Sequence, residues 1–554
     1  MTRTGGQILA DQLILQGSEL AFCVPGESYL ELLDGLYEHR EAFRTVNCRH
    51  EGAAANAADA YGKLTGCPGV CMVTRGPGAT HAAVGVHTAK QDSTPLLLLV
   101  GQVSRVERGR EAFQELDYEA VFGSMAKWVH ELADAASIPD VVAHAYSVAT
   151  SGRPGPVVLS LPEDVLREGA EGRDGRRHRA FQAEPDTGLL RQLELRLEQA
   201  ERPLVLVGGG PWDAEACERL TDWASASGLP VAATFRRQDV IDNTRSCYVG
   251  DVGIGVNPRL AERVRDCDLL IAVGTRLTDI ETQGYTLPSE PPETPQALVH
   301  VHPEADELGR VYRPDLAILA GVREFAAALR PVDGARWAGW AAGARSDYEA
   351  HLRHAPAPGA GVDMGEVVAH LRDALPADAV LCNGAGNFSG WLARFYQWRR
   401  FGTQLAPQSG AMGYGVPAAL AAQLLHPDRL VIALAGDGDF EMYEAELATA
   451  VQEALPIVVI VVNNSTYGTI RMHQERRHPE RVIATGLRNP DFAALAQAHG
   501  AHGERVETAA DFPDALKRAR AAGGPALIEL VTDPEALTPH ASLTEIREQA
   551  LAAR

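Results

Sequence analysis

The sequence predicts an α/β protein built from three doubly wound parallel-sheet domains, and three observations carry that expectation. At 554 residues the chain is too long for one hydrophobic core and should hold about three domains. Short continuous apolar runs, such as Leu96 to Val100, Leu269 to Val273 and Ile457 to Val462, alternate with stretches of helical pattern. Such runs are the mark of strands buried on both faces of a parallel sheet. Two polar stretches then divide the alternation into three blocks, 1–166, 188–332 and 362–540.

Composition excludes several classes. Hydrophobic residues at 45% and charged residues at 22% are those of a soluble globular protein. No apolar run reaches the roughly 18 residues needed to span a bilayer. The N-terminus lacks a signal-peptide cleavage pattern, so no membrane is expected and the cytoplasm is the expected compartment. A net charge of −22 argues against nucleic acid as a partner. The eight Cys are scattered without metal-ligand pairs, and Cys67 and Cys71, on either side of Pro-Gly-Val, read as core filling.

In the first block, Ile8 to Leu15 reads as a helix, and Leu20 to Val24 as a strand ending at Pro25-Gly26-Glu27. Leu30 to Tyr37 is helical, and Thr45 to Cys48 is a short strand leading to Arg49-His50-Glu51. The Ala-rich run Gly52 to Leu64 forms a helix that can pack closely. Gly69 to Val73 is a strand followed by Gly76-Pro77-Gly78, a Gly turn opening another helix, and Pro156 to Leu161 is a further buried strand. From Arg167 to about Thr187 the chain turns polar and Arg/Gly-rich, as a linker would. The second block places strands at Leu204 to Val207, Pro230 to Thr234, Leu269 to Val273 and Leu298 to Val301. It has a Rossmann-like look, but Gly208-Gly209-Gly210-Pro211-Trp212 is not the GxGxxG dinucleotide fingerprint. A second linker ends at His354 to Gly361. The tail after Leu530 reads as loop and terminal helix. No short-period repeat is present, but the first and third blocks share an architecture that suggests a distant duplication.

The third block holds the most informative stretch, Val431 to Asn464. An apolar run to Ala435 ends at Gly436-Asp437-Gly438, a helical pattern continues through Ala454, and Pro456 breaks it. A second run, Ile457 to Val462, delivers Asn463-Asn464. This strand–helix–strand unit puts Asp437 and Asn464 at one carboxyl edge of two parallel strands. Glycines allow close approach of a ligand, and a helix N-terminus favours an anion. A carboxylate and an amide oxygen beside an anion site suit Mg²⁺. An ordinary buried βαβ unit would leave these polar residues unexplained.

GDG followed about 25 residues on by NN resembles the diphosphate-and-metal motif of thiamine-diphosphate enzymes. RHEGAAANAADAYGKLTG around Glu51, GVCMVTRGPGATHAAVGVHTAKQDSTPLLLLVGQV (69–103), AFQELD (112–117) and TSGRPGPVVLSLPEDV (150–165) look like the pyrimidine-binding domain of the acetolactate synthase group. NGAGNFSGWLARFY (383–396) and SGAMGYGVPAALAAQL (409–424) look like its diphosphate-binding domain. The resemblance covers nearly the whole chain in order.

The resemblance implies a thiamine-diphosphate- and Mg²⁺-dependent enzyme that decarboxylates 2-oxo acids and joins the product to a second carbonyl compound. The cofactor does its own organic chemistry, and the protein ionises and positions it. Glu51 would be the carboxylate against the aminopyrimidine. Asp437 and Asn464 would be metal ligands through side chains and Thr466 through its carbonyl. Met412 would be the apolar wedge under the cofactor, and Gly410 an acceptor from its amino group. Pro25, Gly26, Pro77, Asn387, Phe388, Ser389, Gly436, Gly438, Asp439, Tyr467 and Gly468 would complete the binding surface. Phe113, Gln114 and Lys127 match positions near the substrate channel, each with a bland alternative as core, surface or solvated charge. His81 and His87 are candidate proton donors or simply helix-packing histidines.

Two departures matter. Asp439 stands where many relatives have Ser, and an added carboxylate repels a diphosphate unless it is screened. Asn387-Phe388-Ser389 replaces the usual Gln-His-Gln. These leave a 2-hydroxyacyl-CoA lyase, a benzoylformate-type decarboxylase or a catalytically silent regulatory paralogue as alternatives. For the middle block, with its GDVGIGVN (250–257), GTRLTDI (274–280), His300 and His302, the resemblance leaves FAD, an ADP-type group or an empty domain open. It also implies a homodimer or homotetramer. Each site would form between the first domain of one subunit and the third of its partner, with the Ala-rich helix and the turn near Met412 at the interface.

Overall fold

The computed structural model describes residues 2–171, 173–288, 296–354 and 361–554. Residues 355–360, most of the end of the second linker, lie outside the described residues. Three six-stranded sheets carry the chain, and every strand pairing within them is parallel. The first contains Leu20–Cys23, Arg44–Asn47, Gly69–Val73, Leu96–Gln102, Trp128–Glu131 and Pro156–Pro162. The third contains Val380–Asn383, Gln404–Leu405, Val431–Gly436, Val458–Asn463, His502–Val506 and Ala526–Val531. Numbered within each sheet in chain order, both run second, first, third, fourth, sixth, fifth. Identical winding in two six-stranded sheets is what a duplication leaves behind. The central sheet differs: Pro203–Val207, Val231–Thr234, Tyr248–Val252, Leu269–Val273, Ala297–His302 and Leu316–Leu319 run third, second, first, fourth, fifth, sixth, the Rossmann order.

The chain divides into two compact units. One comprises the first sheet's domain, to Phe181, together with Pro407–Pro427 and Tyr443–Leu455. The helix Glu51–Thr65 lies at its centre. His50 caps its start, accepting from the Gly52 N–H at 3.0 Å, and Gly66 ends it in the left-handed conformation at φ 69°. Ala53, Ala54, Ala55, Ala57, Ala58 and Ala60 are all fully buried in the single chain. They pack on helix Pro77–Asp92, where a Cβ on Gly85 would come within 2.3 Å of Ala55, and on helix Gly415–Leu425. Within the single chain these small residues allow close helix packing. The stretch 169–171, expected to be linker, is a short strand paired antiparallel with Thr2–Thr4. Beyond it, the backbone of Gly175, Arg176 and His178 bonds to the side-chain amides of Gln12 and Gln16, which satisfies groups that no strand partner meets.

The other unit holds the central and third sheets. Buried amides link them: Gln404 Oε1 accepts from the Gln238 N–H at 2.7 Å, and Asn243 Oδ1 from the Trp398 N–H at 3.0 Å. The single helix expected from Asp437 through Ala454 is instead two, Asp437–Phe440 and Glu446–Gln452. The interruption falls where the chain crosses between units, at Met442–Tyr443, and Glu446 is drawn to backbone donors outside its own helix. The C-terminal helix Leu543–Ala552 packs on Gly468–Arg477. Among the described residues, no helix is long and apolar enough to cross a membrane.

Candidate functional site

In the unit with the third sheet, the polar residues gather at its carboxyl edge. Val431–Gly436 and Val458–Asn463 are adjacent parallel strands, in register from Ile432↔Val458 to Gly436↔Val462, so Asp437 and Asn464 leave the sheet side by side. Asp437 is buried. Its Oδ1 accepts from its neighbour Gly438 N–H at 2.9 Å, and its Oδ2 from Asn489 Nδ2 at 2.8 Å. Burial raises its pKa above the ordinary value. The donors Gly438 and Asn489, and the N–H groups of Ser465 and Asn464, oppose that rise. The same Asn489 amide also donates to Asn463 Oδ1 at 2.8 Å, while Asn463 Nδ2 donates to the buried Glu529 at 2.7 Å. Asn463 is therefore fixed as a strut. Asn464 Oδ1 accepts from the Thr466 N–H at 3.1 Å, which brings the Asn464 amide and the Thr466 backbone together.

This arrangement fits a hard divalent cation. Asp437, Asn464 and the Thr466 carbonyl offer oxygen only, the donor set Mg²⁺ takes. Beside them Asn489 Oδ1 is buried with no hydrogen-bond partner among the described residues, an acceptor that a hydrated cation would satisfy. Gly438 is required sterically: a Cβ there would come within 2.5 Å of the Tyr467 ring. Gly468 likewise faces Leu537 and Asn464 Nδ2.

The first-strand turn completes this edge. Asn387 is held by Thr469, whose Oγ1 meets both its N–H and its Oδ1 at 3.0 Å. Phe388 is buried with its ring over Gly436, and Ser389 Oγ donates to the Gly386 carbonyl at 2.8 Å. Asp439 turns its carboxylate into this turn, where Oδ1 accepts from the Ala385 N–H at 2.9 Å. Arg236 of the central domain donates to the adjacent Gly384 carbonyl at 3.1 Å, bringing a guanidinium to the turn that holds the added carboxylate.

In the other unit, Glu51 begins its helix at the carboxyl edge of the first sheet. Its side chain is 13% exposed, and Oε2 bonds to His81 Nδ1 at 2.8 Å. The His50 ring stacks on His81 at 4.7 Å and meets Tyr443 at 5.1 Å. Burial, and then His81, lower the pKa of His50, while Glu51 opposes them. Gly78 leaves space in front of the other oxygen: a Cβ there would lie 3.5 Å from Glu51 Oε1. The turn before Glu51 is fixed by the fully buried Glu446, whose Oε1 accepts from the N–H groups of Arg49 at 2.8 Å and His50 at 3.1 Å.

The same unit carries the loop with Gly410 and Met412. Gly410 is left-handed at φ 70°, and Met412 is half-buried. Asp92 Oδ1 accepts from the Gln408 N–H at 2.8 Å, and Thr88 bonds to Ser409. Tyr414 donates to Asp59 at 2.7 Å, and Lys63 is paired with both Asp59, at 2.9 Å, and Asp92. Burial pushes the Asp59 pKa up against the pull of Lys63.

Pro25-Gly26 and the Gly76–Gly78 turn lie together, since a Cβ on Gly26 would come within 2.5 Å of Thr74. Pro77 is exposed at the first position of its helix. Gln114, at φ 66°, packs on Gly76 and accepts from Arg75 at 3.3 Å, and Phe113 is 75% exposed beside it. Lys127 is placed elsewhere. It precedes Trp128–Glu131, at the amino edge of the sheet, and donates to the carbonyls of Ser151 and Arg153 at 2.8 Å each. The ligand-binding turns of a parallel sheet gather at the carboxyl edge, so Lys127 supports a loop at the opposite one. His300 and His302 are likewise packed inside the central sheet, His300 bonding to the Thr275 carbonyl at 2.8 Å. Asn489, Glu446, Arg236 and the Asp59–Lys63–Asp92 cluster carry no signal in the sequence. Asn489 precedes Pro490 and reads only as a turn.

Models of the thiamine pyrophosphate enzyme family match in three places: the N-terminal TPP binding domain at 3–121, the central domain at 190–329 and the C-terminal TPP binding domain at 384–530. Among similar proteins, the acetolactate synthase large subunit of Parasynechococcus marenigrum is 34% identical over 527 residues, covering 91% of this chain and 84% of that protein. The acetolactate synthase of Mycobacterium bovis is 32% identical, covering 96% and 88%. The acetolactate synthase isozyme 2 large subunit of Escherichia coli is 30% identical, covering 96% and 95%.

Proposed function

Because the chain belongs to the thiamine pyrophosphate enzyme family, in its acetolactate synthase-like group, we propose that it is a Mg²⁺-dependent 2-oxo acid decarboxylase and carboligase. The observation that carries this reading is the oxygen-only set of Asp437, Asn464 and Thr466 at one sheet edge, beside the buried open acceptor of Asn489. Thiamine diphosphate supplies a nucleophilic carbon that adds to the 2-oxo group and holds the electron pair left when CO₂ departs. Asp437, Asn464 and the Thr466 carbonyl would hold Mg²⁺ against the diphosphate. Glu51 would hold a proton at the aminopyrimidine through Oε1, with Oε2 steadied by His81. Met412 and Gly410, on the loop anchored by Asp92 and Tyr414, would support the cofactor from its apolar side. Phe113 and Gln114, beside the Gly76 turn, would meet substrate, whereas Lys127, at the amino edge of the first sheet, is left out of this reading.

The test is a screen of 2-oxo acids for CO₂ release, with and without added thiamine diphosphate and Mg²⁺. Release dependent on both supports the reading, and none from any 2-oxo acid overturns it. FAD remains the cofactor to seek in the central domain on the strength of its strand order. A flavin spectrum in the supernatant after denaturation decides it. The acting unit is proposed as a homodimer or homotetramer with shared sites. Mixing inactive Glu51→Gln chains with inactive Asp437→Ala chains should then restore up to about a quarter of full activity by random pairing. No recovery despite demonstrated subunit exchange would leave each site within one chain.

A further inference from the structure

The proposed function uses Glu51 but not the two imidazoles beside it. Among the described residues, His50, Glu51 and His81 bring one ring nitrogen each and a carboxylate oxygen within 4.8 Å of one another. Three elements impose this. His50 is the cap of helix Glu51–Thr65, Glu51 is its first residue, and His81 lies in the second turn of helix Pro77–Asp92. The His50 and His81 rings stack, and Tyr443 lies against His50. His81 is 52% exposed, so the cluster is reached from solvent, while Glu51 at 13% is not free to turn away.

Two imidazole nitrogens with one carboxylate oxygen are the donor set of a borderline transition metal, and Mg²⁺ prefers oxygen. We infer that His50, Glu51 and His81 form a second metal site, for Zn²⁺ and ions of its class, distinct in chemistry from the oxygen set at Asp437. Loading is modest in cost. The 2.8 Å contact between Glu51 Oε2 and His81 Nδ1 must open by about half an ångström to admit an ion about 2 Å from each. The His81 nitrogen facing Glu51 gives up its proton, which the exposed nitrogen takes from solvent, and the Gly52 N–H loses its bond to His50. Those two lost hydrogen bonds set the affinity below that of structural zinc. An ion held there also occupies the carboxylate that the proposed function assigns to the cofactor. That consequence rests on the functional reading, but the site itself does not.

The full chain, stripped of metal and cofactor and held in excess Mg²⁺ to fill the oxygen set, is titrated with Zn²⁺ by calorimetry and with Co²⁺ by visible absorption. One equivalent is expected, with the intense absorption of a low-coordinate cobalt site. His81→Ala should weaken it by about tenfold or more. His81→Asn, which keeps a hydrogen-bond donor to Glu51 and guards against misfolding, should weaken it equally. Unchanged affinity in both variants, or no stoichiometric binding to the native chain, overturns the site. Thiamine diphosphate affinity is then measured with and without one equivalent of Zn²⁺. Competition that His81→Ala removes is expected. Zinc binding that leaves cofactor affinity untouched would keep the metal site and remove Glu51 from the cofactor site.

Discussion

The first and third sheets are wound in the same order, yet their carboxyl edges hold opposite kinds of chemistry. At the third, Asp437, Asn463, Asn464 and Asn489 form a connected oxygen-and-amide net in which Asn463 is a strut and Asp437 the centre. At the first, one carboxylate bonds to an imidazole that stacks on a second, and Asp59, Lys63 and Asp92 form a separate buried charged cluster. A shared topology fixes where side chains can converge but not what converges there. The third edge offers oxygen and amide groups in a net, the first a single carboxylate beside two imidazoles.

Removing the centre of the third edge should have the largest effect. Asp437→Ala is expected to weaken Mg²⁺-dependent thiamine diphosphate binding by about 100-fold or more, about 3 kcal/mol. Tryptophan fluorescence titration measures it, and native-like affinity in the presence of a chelator would end the metal role. The corresponding change at the first edge should separate binding from chemistry. Glu51→Gln is expected to bind the cofactor normally and to turn over about 10² to 10⁴ times more slowly. Hydrogen exchange at the cofactor's acidic carbon is the direct measurement, and an unchanged rate would take Glu51 out of the mechanism.

The buried cluster sharpens the contrast, because its role is to hold a loop. Lys63→Met leaves Asp59 and Asp92 buried without their cation and should cost about 3–5 kcal/mol of stability. Tyr414→Phe removes only one hydroxyl and should cost about 1–3 kcal/mol. Urea unfolding gives both, and equal losses would mean that Lys63 is not the hub.

Interior strands are readable because they are buried on both faces, as at Leu96–Gln102 and Val458–Asn463. Edge strands are less so. Arg44–Asn47 can be read from Thr45 on, but His502–Val506 carries Gly, Glu and Arg and shows no continuous apolar run. Leu316–Leu319 is apolar throughout, but it is only four residues long and alternates buried and exposed. Trp128–Glu131, which Lys127 precedes, is hidden because it is half-buried throughout and carries His and Glu. Asp437 and Asn464 can be found because the strands deliver them from nearby in sequence. Asn489 and Glu446 act through contacts that only the tertiary fold creates, and the helix expected after Asp439 breaks where the chain changes unit.

The central sheet supplies a control, a carboxylate at a sheet edge that neither site uses. Asp251 lies in the edge strand Tyr248–Val252, and its Oδ1 accepts from Gln238 Nε2 at 3.1 Å. Burial pushes its pKa up to about 7, and the Gln238 bond only partly opposes this. Between the ordinary carboxylate value and about 7 the folded chain holds a proton that the unfolded chain has released, so raising the pH through this range favours unfolding. The contribution of Asp251 is thus fully present below about pH 4 and is lost as pH rises through about 7. A tenfold difference in proton affinity between the folded and unfolded chain is worth about 1.4 kcal/mol, so a loss of about 1–3 kcal/mol is expected between about pH 5 and 8. Asp251→Asn keeps the shape and an oxygen for Gln238 but cannot ionise. It should match the native chain below about pH 4 and exceed it by a margin that grows until about pH 7. Other titrating groups cancel in that difference, so parallel urea midpoints for the two chains across this range would show that Asp251 is not held protonated by its surroundings.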